Sequence, residues 1–168
     1  MTAVANKGTA KVTLPTDEQI LITRDFDAPR HLVYKAWTTP ELVRRWWSGR
    51  RGEMTSCEID LRVGGMWRYV MVCRGGLEVA FHGEYREIVP NERIVTTEVY
   101  EVPDTEPKPE GEVVNVITFT EVDGRTTLTV LSECSSKVLR DLIIESGMEI
   151  GMQEGRDLLE EVAISLRS

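Results

Sequence analysis

The fold is decided by the stretch SKVLRDLIIESGMEIGMQEGRDLLEEVAISL, residues 136–166, which contains no proline and repeats its apolar residues at helical spacing. The pattern predicts one long amphipathic helix. One side carries the apolar stripe, which comprises Ile144, Met148, Met152, Leu159, Val162 and Leu166. Polar residues fall largely on the opposite side, namely Glu149, Gln153, Arg156, Asp157, Glu160 and Glu161. The C-terminal helix is therefore predicted to turn one face toward a hydrophobic core and the opposite face toward solvent.

Two glycines, Gly151 and Gly155, fall within the apolar stripe of this predicted helix. Each costs about 1 kcal/mol relative to alanine, so their presence needs a physical reason. Either another segment approaches the helix backbone closely there, or space is kept open for a bound molecule. We favour the second interpretation, which predicts an internal cavity beside the helix.

Length and charge exclude several classes of protein. The chain has 168 residues and a formal net charge of −8, which argues against a nucleic-acid or anionic-membrane partner. No apolar run approaches the 18 or so residues of a membrane span, and the N-terminus lacks the apolar core of a secretory signal. The three cysteines, Cys57, Cys73 and Cys134, are few and odd in number. Reduced thiols and a cytoplasmic location are expected.

Upstream of the helix, the chain reads as one strand, two short helices and six further strands. Residues 1–17 are small, polar and aperiodic, which predicts a flexible N-terminal tail and leaves 18–168 as a single domain. The first strand covers residues 19–26. The helices begin at Asp27-Ala28-Pro29 and at Glu41, and they end near Trp37 and Trp47. The six strands cover about 54–62, 66–73, 77–88, 93–101, 113–121 and 125–134, with an acidic, proline-rich mobile loop at 103–111.

Apolar and polar residues alternate along the predicted strands, which predicts a sheet with one buried face and one solvent-exposed face. The order of elements is β-α-α-β6-α, an α+β fold. Its simplest packing is a curved, seven-stranded antiparallel sheet around the long C-terminal helix. The candidate ligand-binding residues share the inner side of the sheet, the helix stripe or the end of the second helix: Trp47, Trp67, Tyr69, Met71, Phe81, Tyr85, Met148, Gly151, Met152, Gly155 and Leu159.

Catalytic and metal-binding signals are sparse. The two histidines, His31 and His82, lie on different elements and outside any cluster with zinc-ligand spacing, so no metal site is expected. No phosphate-binding loop or dinucleotide fingerprint occurs, so no cofactor is expected. Glu98 is the one catalytic candidate, because a carboxyl in an apolar cavity would have a raised pKa and act as a general acid or base. Alternation leaves its facing open, and a solvated carboxylate at the edge of the sheet is the favoured interpretation.

The segment RDFDAPRHLVYKAWTTPELVRRWW, residues 24–47, resembles the opening signature of the family named after the activator of the heat-shock protein 90 ATPase. The segments GGMWR at 64–68 and GEYREIVP at 83–90 resemble it too, as does the closing helix from 146 to 159. The resemblance covers about residues 18–166. This family belongs to the START-like, or SRPBCC, superfamily, which also holds polyketide cyclases.

The resemblance implies a helix-grip fold, in which a curved antiparallel sheet grips the C-terminal helix around an internal, mostly apolar cavity. It supplies no shared catalytic residues. The closing helix of the family often carries a tryptophan after one of its glycines, and Arg156 stands at that position here.

These observations favour binding or carriage of a small hydrophobic ligand, such as a lipid, a polyketide or an aromatic metabolite, without membrane insertion. Two alternatives remain. One is an enzyme similar to polyketide cyclases or dehydratases, with Glu98 as its acid or base, and the other is a cofactor of the heat-shock protein 90 chaperone. A homodimer also stays open.

Overall fold

The computed structural model describes residues 6–101 and 111–167. Most of the loop predicted at 103–111 lies outside this part of the chain, as do residues 1–5 of the predicted tail. In chain order the elements are β1 (Lys11–Thr13), β2 (Gln19–Phe26), α1 (Arg30–Thr38), α2 (Pro40–Val43), β3 (Gly52–Ile59), β4 (Met66–Cys73), β5 (Glu78–Val89), β6 (Arg93–Glu101), β7 (Val113–Val122), β8 (Arg125–Cys134), α3 (Lys137–Glu145) and α4 (Met148–Ser165).

The predicted α+β class and the curved antiparallel sheet around a C-terminal helix are confirmed. The strands form one open sheet in the order β1-β2-β8-β7-β6-β5-β4-β3, and each neighbouring pair is antiparallel. The sheet has eight strands where the sequence predicts seven. The extra strand, β1, lies in the segment predicted as a tail and pairs with β2, with Lys11 opposite Thr23. Three residues are too few for an alternation pattern to reveal.

The prediction of one continuous C-terminal helix is wrong, because the chain breaks between α3 and α4. Gly147 adopts a φ of 82°, which lies in the left-handed region that glycine enters without steric cost and that a helix interior excludes. At the other end of α3, the Ser136 side chain accepts a hydrogen bond of 3.1 Å from the Leu139 backbone N–H, which caps the helix.

The second short helix is also shorter than predicted. It ends at Val43, and the chain continues in hydrogen-bonded turns. The backbone N–H groups of Trp46 and Trp47 both donate to the Val43 carbonyl, at 3.1 and 3.0 Å. These turns lead into residues 46–51, called the crossing loop below because they lie across α4.

Two groups of apolar side chains lie on the concave side of the sheet, called the inner face below. The larger group packs β2, β6, β7 and β8 against α1 and the C-terminal half of α4, through residues such as Phe26, Val33, Ile94, Phe119 and Leu159. The smaller group lies beneath α3 and the start of α4 and comprises Ala10, Ile20, Ile22, Val113 and Cys134. The two helices therefore close the concave side along its length.

A buried ion cluster joins α4 to the sheet. Arg24 points inward from β2, and its guanidinium contacts Asp157 at 2.7 Å and Glu160 at 3.1 Å. Glu160 is 0 % exposed and also accepts hydrogen bonds from the Asn6 side chain and the Asp27 backbone N–H. The prediction that Glu160 and Arg156 belong to the wet side of the helix is therefore wrong. The carboxylate of Glu160 is buried because Arg24 neutralises it.

Across residues 6–101 and 111–167, no helix is both long and apolar enough to pass through a membrane. The same residues hold no group of three or more His, Cys, Asp or Glu side chains arranged to bind a metal ion. The three cysteines are unpaired.

Candidate functional site

Aromatic rings line the inner face along β4 and β5, and they are called the aromatic wall below. Trp47, from the crossing loop, meets Tyr69 and Phe81 edge to face, with ring centroids 5.2 and 5.3 Å apart. Trp67 lies 4.7 Å from Tyr69. Offset and edge-to-face contacts of this kind hold rings rigidly, so the wall is a preformed apolar surface.

A glycine in β5 shapes the end of this wall. The Trp67 indole crosses over Gly83 and donates hydrogen bonds to the Thr96 hydroxyl at 2.7 Å and the Thr97 carbonyl at 3.2 Å. A Cβ at Gly83 would overlap the Thr97 carbonyl oxygen and press on the indole nitrogen. Glycine in the strand interior is needed here because two neighbouring groups approach its backbone closely.

Two tyrosine hydroxyls on the inner face lack a hydrogen-bond partner among the described residues. Tyr69 and Tyr85 are 7 % and 5 % exposed, and neither hydroxyl hydrogen bonds to any residue that the structure describes. Among those residues, Arg24 Nε is the one unpaired side-chain atom that is sealed from solvent. Both hydroxyls therefore retain some accessible surface. Burial raises the pKa of each hydroxyl, so both remain protonated donors at neutral pH.

A row of polar side chains, Glu98, Asn115 and Ser132, crosses the inner face over β6, β7 and β8. The Asn115 amide donates to Glu98 at 2.8 Å and accepts from the Ser132 hydroxyl at 2.6 Å. Glu98 faces inward, so the solvated position favoured from the sequence is wrong. Desolvation raises the pKa of Glu98, while the Asn115 hydrogen bond and the charge of Arg156 oppose the rise.

Arg156 reaches the same interior from α4. It is 8 % exposed, and its guanidinium carbon lies 5.0 Å from the centre of the Trp37 ring. Desolvation, and then the charge of Arg24, lower the pKa of Arg156 to about 10, whereas Glu98 raises it. Electrostatic coupling thus links Arg156 to Glu98, and Glu98 to Tyr69.

At the two stripe glycines, the favoured interpretation of space kept open for a bound molecule is wrong, because another segment approaches the helix closely there. A Cβ at Gly155 would lie 3.4 Å from the Trp46 carbonyl oxygen and 3.9 Å from that of Trp47. A Cβ at Gly151 would press into the Arg51 guanidinium. Both glycines face the crossing loop, which packs against α4 at these two positions. The two glycines therefore give no evidence for a cavity beside α4, and the candidate ligand-binding surface is the inner face of the sheet.

The other predicted ligand-binding residues divide between the two packed groups. Leu159 is fully buried in the larger group, with Trp67, Tyr69 and Tyr85, while Trp47 and Phe81 pack at its margin. Met148 and Met152 pack against the smaller group. Met71 is buried in β4. The structure thus brings the aromatic residues together and places the two methionines further along the same concave side.

Sequence reasoning missed Asn115 and Ser132 as inner-face residues. A signal existed, because β7 alternates as Val113, Asn115, Ile117 and Phe119, which puts an amide at an inward position. The same holds for Arg24, which follows Ile20 and Ile22 at inward positions of β2. A polar residue at an apolar register position was the available clue to a polar interior.

An open cleft of about 480 Å³ lies on the surface near the ends of β3 and β4. Its lining comprises Gly49, Arg50, Gly52, Glu53, Val72, Cys73 and Arg74. None of the predicted ligand-binding residues lines this cleft.

Comparison with known proteins gives a family. The model of the Activator of Hsp90 ATPase homolog 1-like protein family matches residues 27–163, which include both short helices, β3 to β8 and nearly all of α4. No curated protein matches the chain.

Solved structures share the fold at low identity. A protein from Rhodobacter sphaeroides superposes with a TM-score of 0.84 at 23% identity, over 94% of this chain and 99% of that one. A protein from Arthrobacter aurescens gives 0.82 at 22% identity, over 92% and 91%. An AHSA1-like protein from Aeromonas hydrophila gives 0.62 at 17% identity, over 86% and 92%. With the matched family model, the chain belongs to the Activator of Hsp90 ATPase homolog 1-like family, of the START-like superfamily.

Proposed function

We propose that this protein binds or carries a small, mainly hydrophobic molecule on its inner face, between the sheet and α4. The observation that supports it is a set of largely buried polar groups on the inner face and on α4 that have no hydrogen bond to any described residue, namely the Tyr69 and Tyr85 hydroxyls and the Arg156 guanidinium. Buried polar groups are normally hydrogen-bonded, and leaving one unpaired costs about 1–3 kcal/mol. A guest with a few polar atoms would satisfy them.

The chemistry of the lining suits a lipid, a polyketide or an aromatic metabolite. Ligand sites of this type combine apolar walls with a small number of placed polar groups. The unpaired cysteines fit the reducing cytoplasm, which is where we place the protein.

Narrowing the interior from α4 tests this function. Met152 lies on the side of α4 that faces the sheet and is partly buried, whereas Ile150, two residues away on the same helix, is 72 % exposed. With 1-anilinonaphthalene-8-sulfonate as a fluorescent probe, Met152→Trp is expected to weaken binding at least about tenfold, at a cost of about 1–3 kcal/mol in stability. Ile150→Trp is the matched control and should bind as the wild type does, because its indole points to solvent.

If both variants lose probe binding equally, or if neither variant loses it, the dye binds outside the interior. Thermal unfolding of both variants separates loss of binding from loss of fold. The same protein, purified from its own host and measured by native mass spectrometry, should carry a mass above that of the bare chain.

A second candidate function, an enzyme similar to polyketide cyclases, is favoured by Glu98. Its carboxyl is inward-facing, and desolvation raises its pKa toward the range in which a general acid or base works near neutral pH. Chemical conversion of a bound compound that is lost in Glu98→Gln would establish this role. A compound recovered unchanged from the wild type would remove it.

A further inference from the structure

Three arginines are buried among the described residues, and two of them have partners. Arg24 pairs with Asp157 and Glu160. Arg140 donates to Asp141 at 3.0 Å and to the Thr16 carbonyl at 2.7 Å. Arg156 differs from both, since it has neither a hydrogen bond nor an ion pair with any residue in the described part of the chain.

The Trp37 ring contacts the face of the Arg156 guanidinium but does not engage its N–H donors. A cation over an aromatic face is stabilised electrostatically, but the five N–H donors of the guanidinium lie in its own plane and are left for other partners. Even with a pKa lowered to about 10, the group is charged at neutral pH. The guanidinium nitrogens are not sealed from solvent, since Arg24 Nε is the one unpaired side-chain atom of the described residues that is. A guest carboxylate that replaces solvent at this largely buried cation gains affinity from a charge-assisted pairing.

Glu98 does not fill this role. Its carboxylate is engaged by the Asn115 amide, and it forms no ion pair with Arg156 within the 4.0 Å that defines one. It does set a limit on the charge of the guest. A dianionic phosphate would face one cation and one nearby carboxylate, whereas a single carboxylate matches the fork of the guanidinium in both charge and shape.

We propose that the guest is an organic monoanion, an aromatic or aliphatic molecule with one carboxylate, and that this carboxylate pairs with Arg156. This inference rests on the proposed function and names the class of its ligand. The apolar body lies against the aromatic wall, and the hydroxyls of Tyr69 and Tyr85 donate to its remaining polar atoms.

Two pairs of probes that differ only in the head group test the pairing by calorimetric titration: naphthalene-2-carboxylate against naphthalene-2-carboxamide, and decanoate against decan-1-ol. The wild type should bind at least one acid about tenfold or more tightly than its neutral counterpart. Arg156→Met keeps the length of the stem and removes the charge, so it should bind the two members of that pair equally. Arg156→Lys keeps the charge without the fork and should retain part of the preference.

Thermal unfolding of the variants excludes a purely structural role. Removing an unpaired buried charge should leave the Tm of Arg156→Met equal to or above that of the wild type. If Arg156→Met does not fold, the ratio of acid to neutral affinity in Arg156→Lys decides the question, and an unchanged ratio counts against the pairing.

Equal affinity for acid and neutral probes in the wild type, or an unchanged preference in Arg156→Met, overturns this inference and leaves the proposed function intact. Binding of none of the four probes also overturns it. The comparison of Met152→Trp with Ile150→Trp then decides separately whether the proposed function stands.

Discussion

Glu160→Ala is expected to lower the free energy of unfolding by about 3 kcal/mol, which corresponds to a fall in Tm of roughly 6–12 °C. The change removes a carboxylate that is 0 % exposed and pairs with the fully buried side chain of Arg24 at 3.1 Å. Asp157, which is partly exposed, would be left as the sole counter-ion of Arg24. The Asp27 backbone N–H would lose its acceptor as well.

Glu161→Gln is the matched control, because Glu161 is the next residue on α4 and is less buried. It should change stability by no more than about 0.5 kcal/mol. Denaturant unfolding of both variants measures the difference. The double variant Arg24→Met, Glu160→Met should be more stable than Glu160→Ala, since it removes the buried arginine that would otherwise keep only the partly exposed Asp157 as its partner. Equal losses in Glu160→Ala and Glu161→Gln would show that the cluster does not hold α4 to the sheet.

Gly83→Ala is expected to lower the free energy of unfolding by about 3 kcal/mol, the upper end for added volume in a packed interior. The new Cβ would meet the Thr97 carbonyl, which is backbone and has little room to move. The Trp67 indole would be displaced from the Thr96 hydroxyl, so near-ultraviolet circular dichroism should change along with stability.

Gly111→Ala provides the comparison. Within residues 6–101 and 111–167, a Cβ at Gly111 would have no heavy atom within 4 Å. Its effect should lie within about 0.5 kcal/mol of zero. A Gly83→Ala protein as stable as Gly111→Ala, with an unchanged tryptophan spectrum, would contradict the close crossing of Trp67 over β5.

Much of the sheet could be predicted from local pattern alone. The strands predicted at 66–73, 93–101 and 125–134 coincide with β4, β6 and β8, because alternation and the flanking turn residues are properties of short segments. The break in the C-terminal helix was missed for the complementary reason. A glycine inside a helical pattern is tolerated in many helices, so the pattern alone does not show that Gly147 adopts a left-handed conformation and ends α3.

The polar interior depends on contacts between distant segments, which periodicity does not report. Glu160 is buried because Arg24, far away in the chain, supplies its counter-charge. Helical spacing placed Gly155 on the apolar stripe correctly, but it did not reveal that the crossing loop packs there. The aromatic residues were predicted to share a face from strand alternation, and the structure brings Trp67, Tyr69 and Phe81 together with Trp47.

The central claim is that a small molecule binds on the inner face between the sheet and α4, and methionine methyl resonances report on it directly. Met71 and Met152 lie on the buried side, whereas Met66 is 51 % exposed on β4. We would label the methionine methyl groups with carbon-13 and titrate the protein with 1-anilinonaphthalene-8-sulfonate, whose rings shift nearby resonances.

Binding on the inner face predicts saturable shifts of the Met152 methyl resonance, accompanied by shifts of the Met71 methyl resonance. The Met66 methyl resonance should stay unchanged. A titration that moves Met66 and leaves Met152 in place, or that moves none of the three, would contradict the account.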